Sequence, residues 1–200
     1  MEFKQRLLKY VVSFVLLLGF IFVFYFWKES EKIPVLGQVE SFEMNTVYGE
    51  AYNLNNETVK LLTFFYTRCP DICPMTMFDL KDLQGQLQKE ELFGTEVELL
   101  AITLDPQIDS EEIIREYANL FEANPEGWKF MRGDLEETED IADSLKMKYK
   151  KVNDDFISHN TTMYLIDQDN RIRGLFNMAN AKDPVDNEKI METIRVILQE

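Results

Sequence analysis

Apolar and polar positions along this chain predict strands and helices in succession. Two apolar runs have the length and composition of strands buried on both faces, residues 61–66 and 97–104. Apolar residues at helical spacing follow each run. From the same patterns we predict a hairpin over 47–52 bent at Gly49, helices over 75–89, 110–121, 134–149 and 184–198, and shorter strands over 128–131, 161–167 and 171–176.

Local signals refine these helices and one turn. Ser110 is placed to cap the helix over 110–121, and the acidic residues after it suit a first helical turn. Asp169 and Asn170 form the predicted turn between the last two strands. Two helices have a predicted inner face, namely Leu135, Ile141, Ala142 and Leu145 in the helix over 134–149, and Ile190, Ile194 and Ile197 in the last helix.

The order of these elements predicts the fold class. Strands alternate with helices at first, and an antiparallel hairpin and a final helix then complete the chain. Such a succession is typical of an α/β sandwich with a mixed central sheet. We assign residues 41–200 to one domain of this kind.

An apolar stretch precedes the domain. Residues 10–27 are 18 residues without a charge, and as a helix they would span roughly 27 Å, close to the ~30 Å hydrocarbon core of a bilayer. Tyr10, Tyr25 and Trp27 lie near its ends, where aromatic side chains favour the membrane interface. A cleaved signal peptide would end in small residues, whereas this stretch ends in F-Y-F-W-K-E-S-E-K. The pattern therefore predicts an uncleaved N-terminal transmembrane helix.

Flanking charges predict the orientation of this helix. Residues 1–9 carry three basic side chains and one acidic one. By the positive-inside rule these residues form a cytoplasmic tail, and everything beyond Lys28 lies outside the cytoplasm. We therefore predict a single-pass protein of the cell membrane, with residues 28–40 as a linker to an extracytoplasmic domain.

Charge and cysteine content exclude two classes of protein. The formal net charge of −15 disfavours binding to nucleic acid, because phosphate contacts need clustered Lys and Arg. Two cysteines in 200 residues do not make a small secreted scaffold held by disulfides. We expect a monomeric globular domain that binds no nucleic acid.

The two cysteines, Cys69 and Cys73, follow directly after the first buried strand. Pro74 suits the first turn of a helix, so both sulfurs are predicted at a strand-to-helix turn, where the helix dipole favours thiolate. Residues four apart on a helix have Cβ atoms about 5–6 Å apart, and a disulfide needs about 3.5–4.5 Å. A modest adjustment would close a disulfide, and the same separation would let both sulfurs meet one metal ion. The spacing alone does not choose between the two.

His159, the only histidine, lies in S-H-N-T-T just before the strand over 161–167. Two thiolates and one imidazole suit copper, with sulfur favouring Cu(I) and nitrogen helping to hold Cu(II). Zinc would also accept two sulfurs and one nitrogen, usually with a fourth ligand. Met75 and Met77 could add thioether sulfur, but methionines near a helix start more often fill gaps in the core, and we predict that role for them.

Three segments of this chain resemble the Sco/SenC family of copper proteins, within the thioredoxin-like superfamily. They are F-F-Y-T-R-C-P-D-I-C-P-M-T at 64–76, I-T-L-D-P at 102–106 and S-H-N-T-T-M-Y-L-I-D at 158–167. A Cys-x-x-x-Cys-Pro motif with a downstream histidine is quite specific, and with the N-terminal helix the resemblance extends over essentially the whole chain. One departure is Phe65, where many relatives have Gly, and it should affect packing behind the site.

The resemblance implies both a fold and a function. The fold would be thioredoxin-like, in its peroxiredoxin-like variant, and would bind one copper ion, as Cu(I) or Cu(II), through Cys69, Cys73 and His159. The function would be that of a metallochaperone for the binuclear copper A centre of cytochrome c oxidase, with the copper A subunit as partner. Asp71 and Asp105 match acidic positions of the family and are candidates to support the ligands. No bond-making catalysis is implied, so we do not predict an enzyme.

Two redox functions are alternatives. A thiol–disulfide oxidoreductase would cycle the cysteine pair between dithiol and disulfide and keep the oxidase subunit's copper-ligand cysteines reduced. Such enzymes typically have Cys-x-x-Cys and a cis-proline before the equivalent of the strand over 161–167, whereas this chain has three spacer residues and no proline between Pro125 and Pro184. A peroxidase would need a Thr-x-x-Cys arrangement with a partner arginine, which the chain lacks. We therefore favour copper binding, which needs the reduced pair and is open to redox control.

Overall fold

The computed structural model describes residues 2–26, 32–153 and 156–200. Its contacts divide into two compact units, Met1–Lys32 and Ile33–Glu200. The first unit contains helix α1 (Glu2–Phe26). Among the residues described, no helix combines the length and the apolar character that crossing a membrane requires. Trp27, where the predicted membrane helix ends, lies outside the described residues, as do residues 28–31 of the predicted linker.

The second unit follows the predicted succession of strands and helices. In chain order the elements are β1 (Gly37–Gln38), β2 (Glu43–Asn45), β3 (Ala51–Asn53), β4 (Val59–Phe65), α2 (Ile72–Lys89), β5 (Val97–Thr103), α3 (Glu111–Leu120), β6 (Trp128–Met131), α4 (Leu135–Ser144), β7 (Tyr149–Asn153), β8 (Phe156–His159), β9 (Thr162–Ile166), β10 (Arg171–Asn177) and α5 (Asn187–Ile197).

A mixed sheet forms the centre of this unit, in the order β1-β10-β9-β4-β5-β6. Strands β4, β5 and β6 are parallel, whereas β9 pairs antiparallel with β4, and β10 with β9. Every residue of β4 and β5 is buried, because the sheet is covered on both faces. The predicted mixed α/β architecture is confirmed.

Several local predictions are also confirmed. Strand β6 has the predicted bounds, and Gly49 adopts a φ of 84° in the turn between β2 and β3. The Ser110 side chain accepts a hydrogen bond from the Ile113 N–H at 3.3 Å and caps α3. Helix α5 begins later than predicted, because Asp186 caps it by accepting a hydrogen bond from the Lys189 N–H.

Long-range pairing extends the sheet into the stretch predicted as a linker. Strand β1 pairs antiparallel with β10, and the Leu36 N–H donates to the Ile172 oxygen at 2.8 Å. Val39 is buried beside this pairing. The compact unit therefore includes residues well before position 41, and no local pattern marks a two-residue edge strand.

The helix predicted over 134–149 is wrong in its C-terminal part. Helix α4 ends at Ser144, and Lys146 takes a left-handed φ of 55° that turns the chain into β7. Strands β7 and β8 then form an antiparallel hairpin that the sequence pattern missed. Leu135 is 43% exposed instead of facing inward, because it is the first helical residue, directly after the Asp134 cap. The rest of the predicted inner face is buried, at Ile141, Ala142 and Leu145.

A buried polar cluster lies near the start of β4. Lys60 is fully buried and donates from Nζ to the backbone carbonyl oxygen of Asn56 at 2.9 Å. The Glu98 carboxylate nearby accepts hydrogen bonds from the side chains of Tyr52, Asn56 and Thr58 at 2.7–2.9 Å. Burial lowers the pKa of Lys60 to about 8, although the charge of Glu98 opposes this shift.

Replacing Lys60 with Met is expected to raise the free energy of unfolding at pH 7 by about 2 kcal/mol, because the variant no longer buries an ammonium group. The folded pKa of Lys60 lies below the unfolded one, so between about pH 8 and pH 10.5 the unfolded chain binds more protons. Wild-type stability therefore gains from Lys60 as pH rises. Urea denaturation should show the advantage of Lys60→Met shrinking across this window by up to ~1.4 kcal/mol per pH unit. A pH-independent difference would contradict the assignment.

Candidate metal centre

The two cysteines lie where β4 gives way to α2. Cys69 occupies the turn, where its N–H donates to the Tyr66 oxygen at 3.1 Å, and Cys73 is the second residue of α2. The Cys73 N–H donates to the Cys69 Sγ at 3.4 Å, and both residues are free cysteines. Helix α2 begins at Ile72, ahead of Pro74, which still lies in the first turn where its missing N–H needs no helical partner. The predicted strand-to-helix turn is confirmed.

The two thiols have opposite ionisation behaviour. A hydrogen bond from Cys73, together with the backbone N–H groups of Asp71 and Cys73 and the side chain of Tyr66, lowers the pKa of Cys69 to about 5 against the effect of burial. The same sulfur–sulfur hydrogen bond and burial raise the pKa of Cys73 above its usual range. At neutral pH the half-buried Cys69 is therefore a thiolate and the buried Cys73 is a thiol.

Asp109 supports the cysteine turn from behind and is a residue that sequence reasoning missed. Its buried carboxylate accepts hydrogen bonds from the Thr67 N–H at 3.1 Å, from the Thr67 hydroxyl, and from the Thr103 hydroxyl at the end of β5. These bonds hold the backbone two residues before Cys69. An acidic residue four positions after Asp105 was the available signal, but it does not reveal which threonines it meets.

The two predicted supporting carboxylates have different positions. Asp71 is exposed beside Cys69 and precedes α2 without a capping hydrogen bond from its side chain. Asp105 is buried. Its two carboxylate oxygens accept hydrogen bonds from Arg68 and from Lys151, each at 3.0 Å. Asp105 thus binds two charged side chains beside the site, those of Arg68 and Lys151.

His159 ends strand β8, so its position depends on the hairpin that the sequence pattern missed. Its Nδ1 lies 2.8 Å from the backbone carbonyl oxygen of Asn160. A proton on Nδ1 would be donated to that carbonyl, which leaves the Nε2 lone pair available to a metal. The imidazole stands edge-on to the Tyr66 ring, with ring centroids 6.2 Å apart.

One cleft of about 260 Å³ brings part of the predicted ligand set together. Cys69, Asp71 and His159 line it with Tyr66, and Cys73 is buried and hydrogen-bonded to Cys69. Within the described ranges, no group of three or more His, Cys, Asp or Glu side chains is assembled closely enough to hold a metal ion. Tyr66 contacts both Cys69 and His159, since its side chain is hydrogen-bonded to Cys69 and its ring stands edge-on to the imidazole. The three-residue ligand set remains a prediction.

Comparison with known proteins assigns the family. The sequence profile of the SCO1/SenC family matches residues 39–198. The chain belongs to the SCO1/SenC family. A SCO2-like protein of Rickettsia typhi is 28% identical over 206 residues, which cover 92% of this chain and 94% of that protein.

Solved Sco structures share the fold. ScoI of Bradyrhizobium japonicum, with copper bound, superposes with a TM-score of 0.67 at 23% identity and covers 80% of this chain and 99% of that one. BsSco is described as having a disulfide switch and as a member of the Sco family of cytochrome c oxidase assembly proteins. It gives a TM-score of 0.71 at 23% identity, covering 84% of this chain and 98% of its own. The predicted thioredoxin-like fold is confirmed.

Two further predictions for this Sco/SenC chain concern packing. Phe65 is fully buried and stacks on Tyr117, with ring centroids 5.4 Å apart, and it meets Phe130 edge-on at the same distance. The Phe65 ring, where many relatives have Gly, therefore affects the packing behind the cysteine turn, as predicted. Met77 is fully buried, and Met75 is partly buried against the core. Both methionines therefore pack in or against the core.

Proposed function

We propose that this protein binds one copper ion through Cys69, Cys73 and His159 and delivers it to the copper A subunit of cytochrome c oxidase. Residues 10–27 would anchor it in the cell membrane, with the folded domain outside the cytoplasm. One observation carries the proposal, namely that the Cys69 thiolate and the single histidine line one cleft in a Sco/SenC chain, and that the buried Cys73 is hydrogen-bonded to Cys69. The copper-bound ScoI of similar fold supports the choice of metal.

The chain's own groups suggest how copper would be taken up. The Cys69 thiolate needs no deprotonation at neutral pH and would receive the ion first. Cys73 would lose its proton on joining it, so that loading with Cu(I) through both sulfurs releases one proton. Uptake also requires the Tyr66 side chain to release its hydrogen bond to Cys69, and it requires the hairpin β7–β8 to bring His159 toward the sulfurs. The partner's ligands would then displace these groups one at a time.

Replacing His159 with Ala is expected to weaken Cu(II) binding by about 100-fold and to change its absorption and paramagnetic resonance spectra, because the imidazole is the nitrogen ligand. Cu(I) affinity should fall much less, since two sulfurs remain. Titration of wild type and variant with each ion measures both effects, and Asn160→Ala serves as the control. If His159→Ala leaves Cu(II) affinity and spectra unchanged, the ligand assignment is wrong.

A thiol–disulfide oxidoreductase is a second candidate, favoured by the unequal thiols of Cys69 and Cys73. The Cys69 thiolate would attack a partner disulfide and expel one partner thiolate. The Cys73 thiolate, after losing its proton, would then attack Cys69, release the second partner thiol and leave a Cys69–Cys73 disulfide. Deletion of the gene separates the candidates, because added copper should restore oxidase activity if delivery is the function. Restoration by an external reductant alone would favour the oxidoreductase.

A further inference from the structure

The hairpin β7–β8 and the cysteine turn meet at one buried carboxylate. Asp105 is only 4% exposed, and Arg68 donates to its Oδ2 while Lys151 donates to its Oδ1, each at 3.0 Å. Arg68 directly precedes Cys69, and Lys151 belongs to β7. This carboxylate therefore connects the segment that carries the sulfurs with the hairpin that carries the imidazole.

The same part of the hairpin has a second attachment. Lys151 pairs with Ile157 across the hairpin, and Ile157 lies two residues before His159. The Ile157 backbone is hydrogen-bonded to the Tyr66 side chain, which is also hydrogen-bonded to Cys69. The two attachments therefore hold the two members of one cross-strand pair, Lys151 and Ile157. Each connects that pair to the cysteine turn, one through Asp105 and the other through Tyr66.

We infer that Lys151 and Asp105 form a latch that positions the His159 hairpin against the cysteine turn. An exposed ion pair is usually weak, but Asp105 is almost completely withdrawn from water, so its carboxylate depends on the two cations that meet it. The latch does not depend on a bound metal. Its consequence for copper rests on the proposed function, since His159 can join the sulfurs readily only if its hairpin is held near them.

Lys151 is the residue to change, because Asp105 also holds Arg68 beside the cysteines. Lys151→Met keeps a long side chain and removes the ammonium group, and Lys151→Arg retains the charge. Lys150→Met is the matched control, since Lys150 is the exposed preceding residue of β7 and pairs with Ser158. The latch predicts an effect of Lys151→Met, restoration by Lys151→Arg and no effect of Lys150→Met.

The first measurement uses the full-length protein without metal. Hydrogen–deuterium exchange of a peptide spanning residues 149–160 reports on the hairpin, including the Asn160 N–H that donates to the Lys148 oxygen at 3.0 Å. Lys151→Met should speed exchange here about tenfold and leave β5 unchanged, because only the hairpin is released. Equal exchange in Lys151→Met and Lys150→Met would overturn the latch.

The second measurement is Cu(II) titration of the same full-length variants. Lys151→Met should weaken Cu(II) binding about tenfold, as is typical when a group that orients a metal ligand is lost. In a His159→Ala background the same change should have no further effect. An equal loss in both backgrounds would show that Lys151 acts other than through His159, and would overturn the positioning role. If wild type binds no copper while the exchange result holds, the proposed function fails and the latch stands.

Discussion

The double variant Cys69→Ser/Cys73→Ser is expected to lose Cu(I) affinity by at least about 1,000-fold, which corresponds to ~4 kcal/mol. Hydroxyl groups replace the only soft ligands proposed for the ion, and a serine hydroxyl does not ionise at neutral pH. The single variants should differ, because the two thiols differ in protonation. Cys69→Ser removes the thiolate and leaves a buried thiol, whereas Cys73→Ser keeps the thiolate, so Cys69→Ser should bind Cu(I) more weakly.

Competition with a Cu(I) chelator at pH 7 measures these affinities. Thermal melting of each variant without metal checks that the fold is intact, since serine occupies almost the same volume as cysteine. A double variant that kept Cu(I) affinity within tenfold of wild type would contradict the proposed site. A reversed order of the single variants would contradict the assignment of the thiolate to Cys69.

Replacing Arg173 with Leu is expected to lower the free energy of unfolding by about 3–5 kcal/mol, because it breaks a buried ion pair. Arg173 donates at 2.9 Å to Asp167, which is 0% exposed, and its second amino group donates to the Ile33 oxygen and to Glu200 at 2.6–2.7 Å. Asp167 forms ion pairs with Arg171 and Arg173, and of these two the leucine variant would keep only the pair with Arg171. The lost stability is then largely the cost of a buried carboxylate that has lost one of these two cations.

The pH dependence of this effect follows from Asp167. Burial disfavours its ionisation, but hydrogen bonds from Arg173 and Arg171 outweigh this and hold the pKa of Asp167 below its usual value. Its contribution is therefore present above the unfolded pKa of about 4 and is lost as pH falls through the lower folded value. In urea denaturation, the difference between wild type and Arg173→Leu should be largest near neutral pH and should shrink in acid.

Arg195→Leu is the matched control for that variant. Arg195 forms an exposed ion pair with Glu90 on the surface, and such pairs typically contribute less than about 1 kcal/mol. A loss of similar size in Arg173→Leu and Arg195→Leu would contradict the special role of the buried pair.

Local pattern was sufficient wherever burial or capping leaves a mark on neighbouring residues. Strands β4 and β5 are buried on both faces and therefore read as continuous apolar runs, and Ser110 stands one position before the helix it caps. The local pattern was insufficient for the hairpin β7–β8, because β7 is largely exposed and polar and does not alternate between apolar and polar residues. The turn that begins it needs a left-handed lysine, Lys146, which no residue preference announces.

The sequence by itself determined the fold class and the family and supplied the residues proposed as copper ligands, because motifs and apolar periodicity can be recognised from the order of residues alone. Only the tertiary structure decided which sulfur is the thiolate, that Asp109 supports the turn, and that Asp105 joins Arg68 to Lys151. Which sulfur is the thiolate depends on burial and on hydrogen bonds within the turn itself, whereas the other two findings depend on contacts between residues about 40 positions apart, Thr67 with Asp109 and Asp105 with Lys151. Such contacts exist only once the sheet has brought the ends of its strands together.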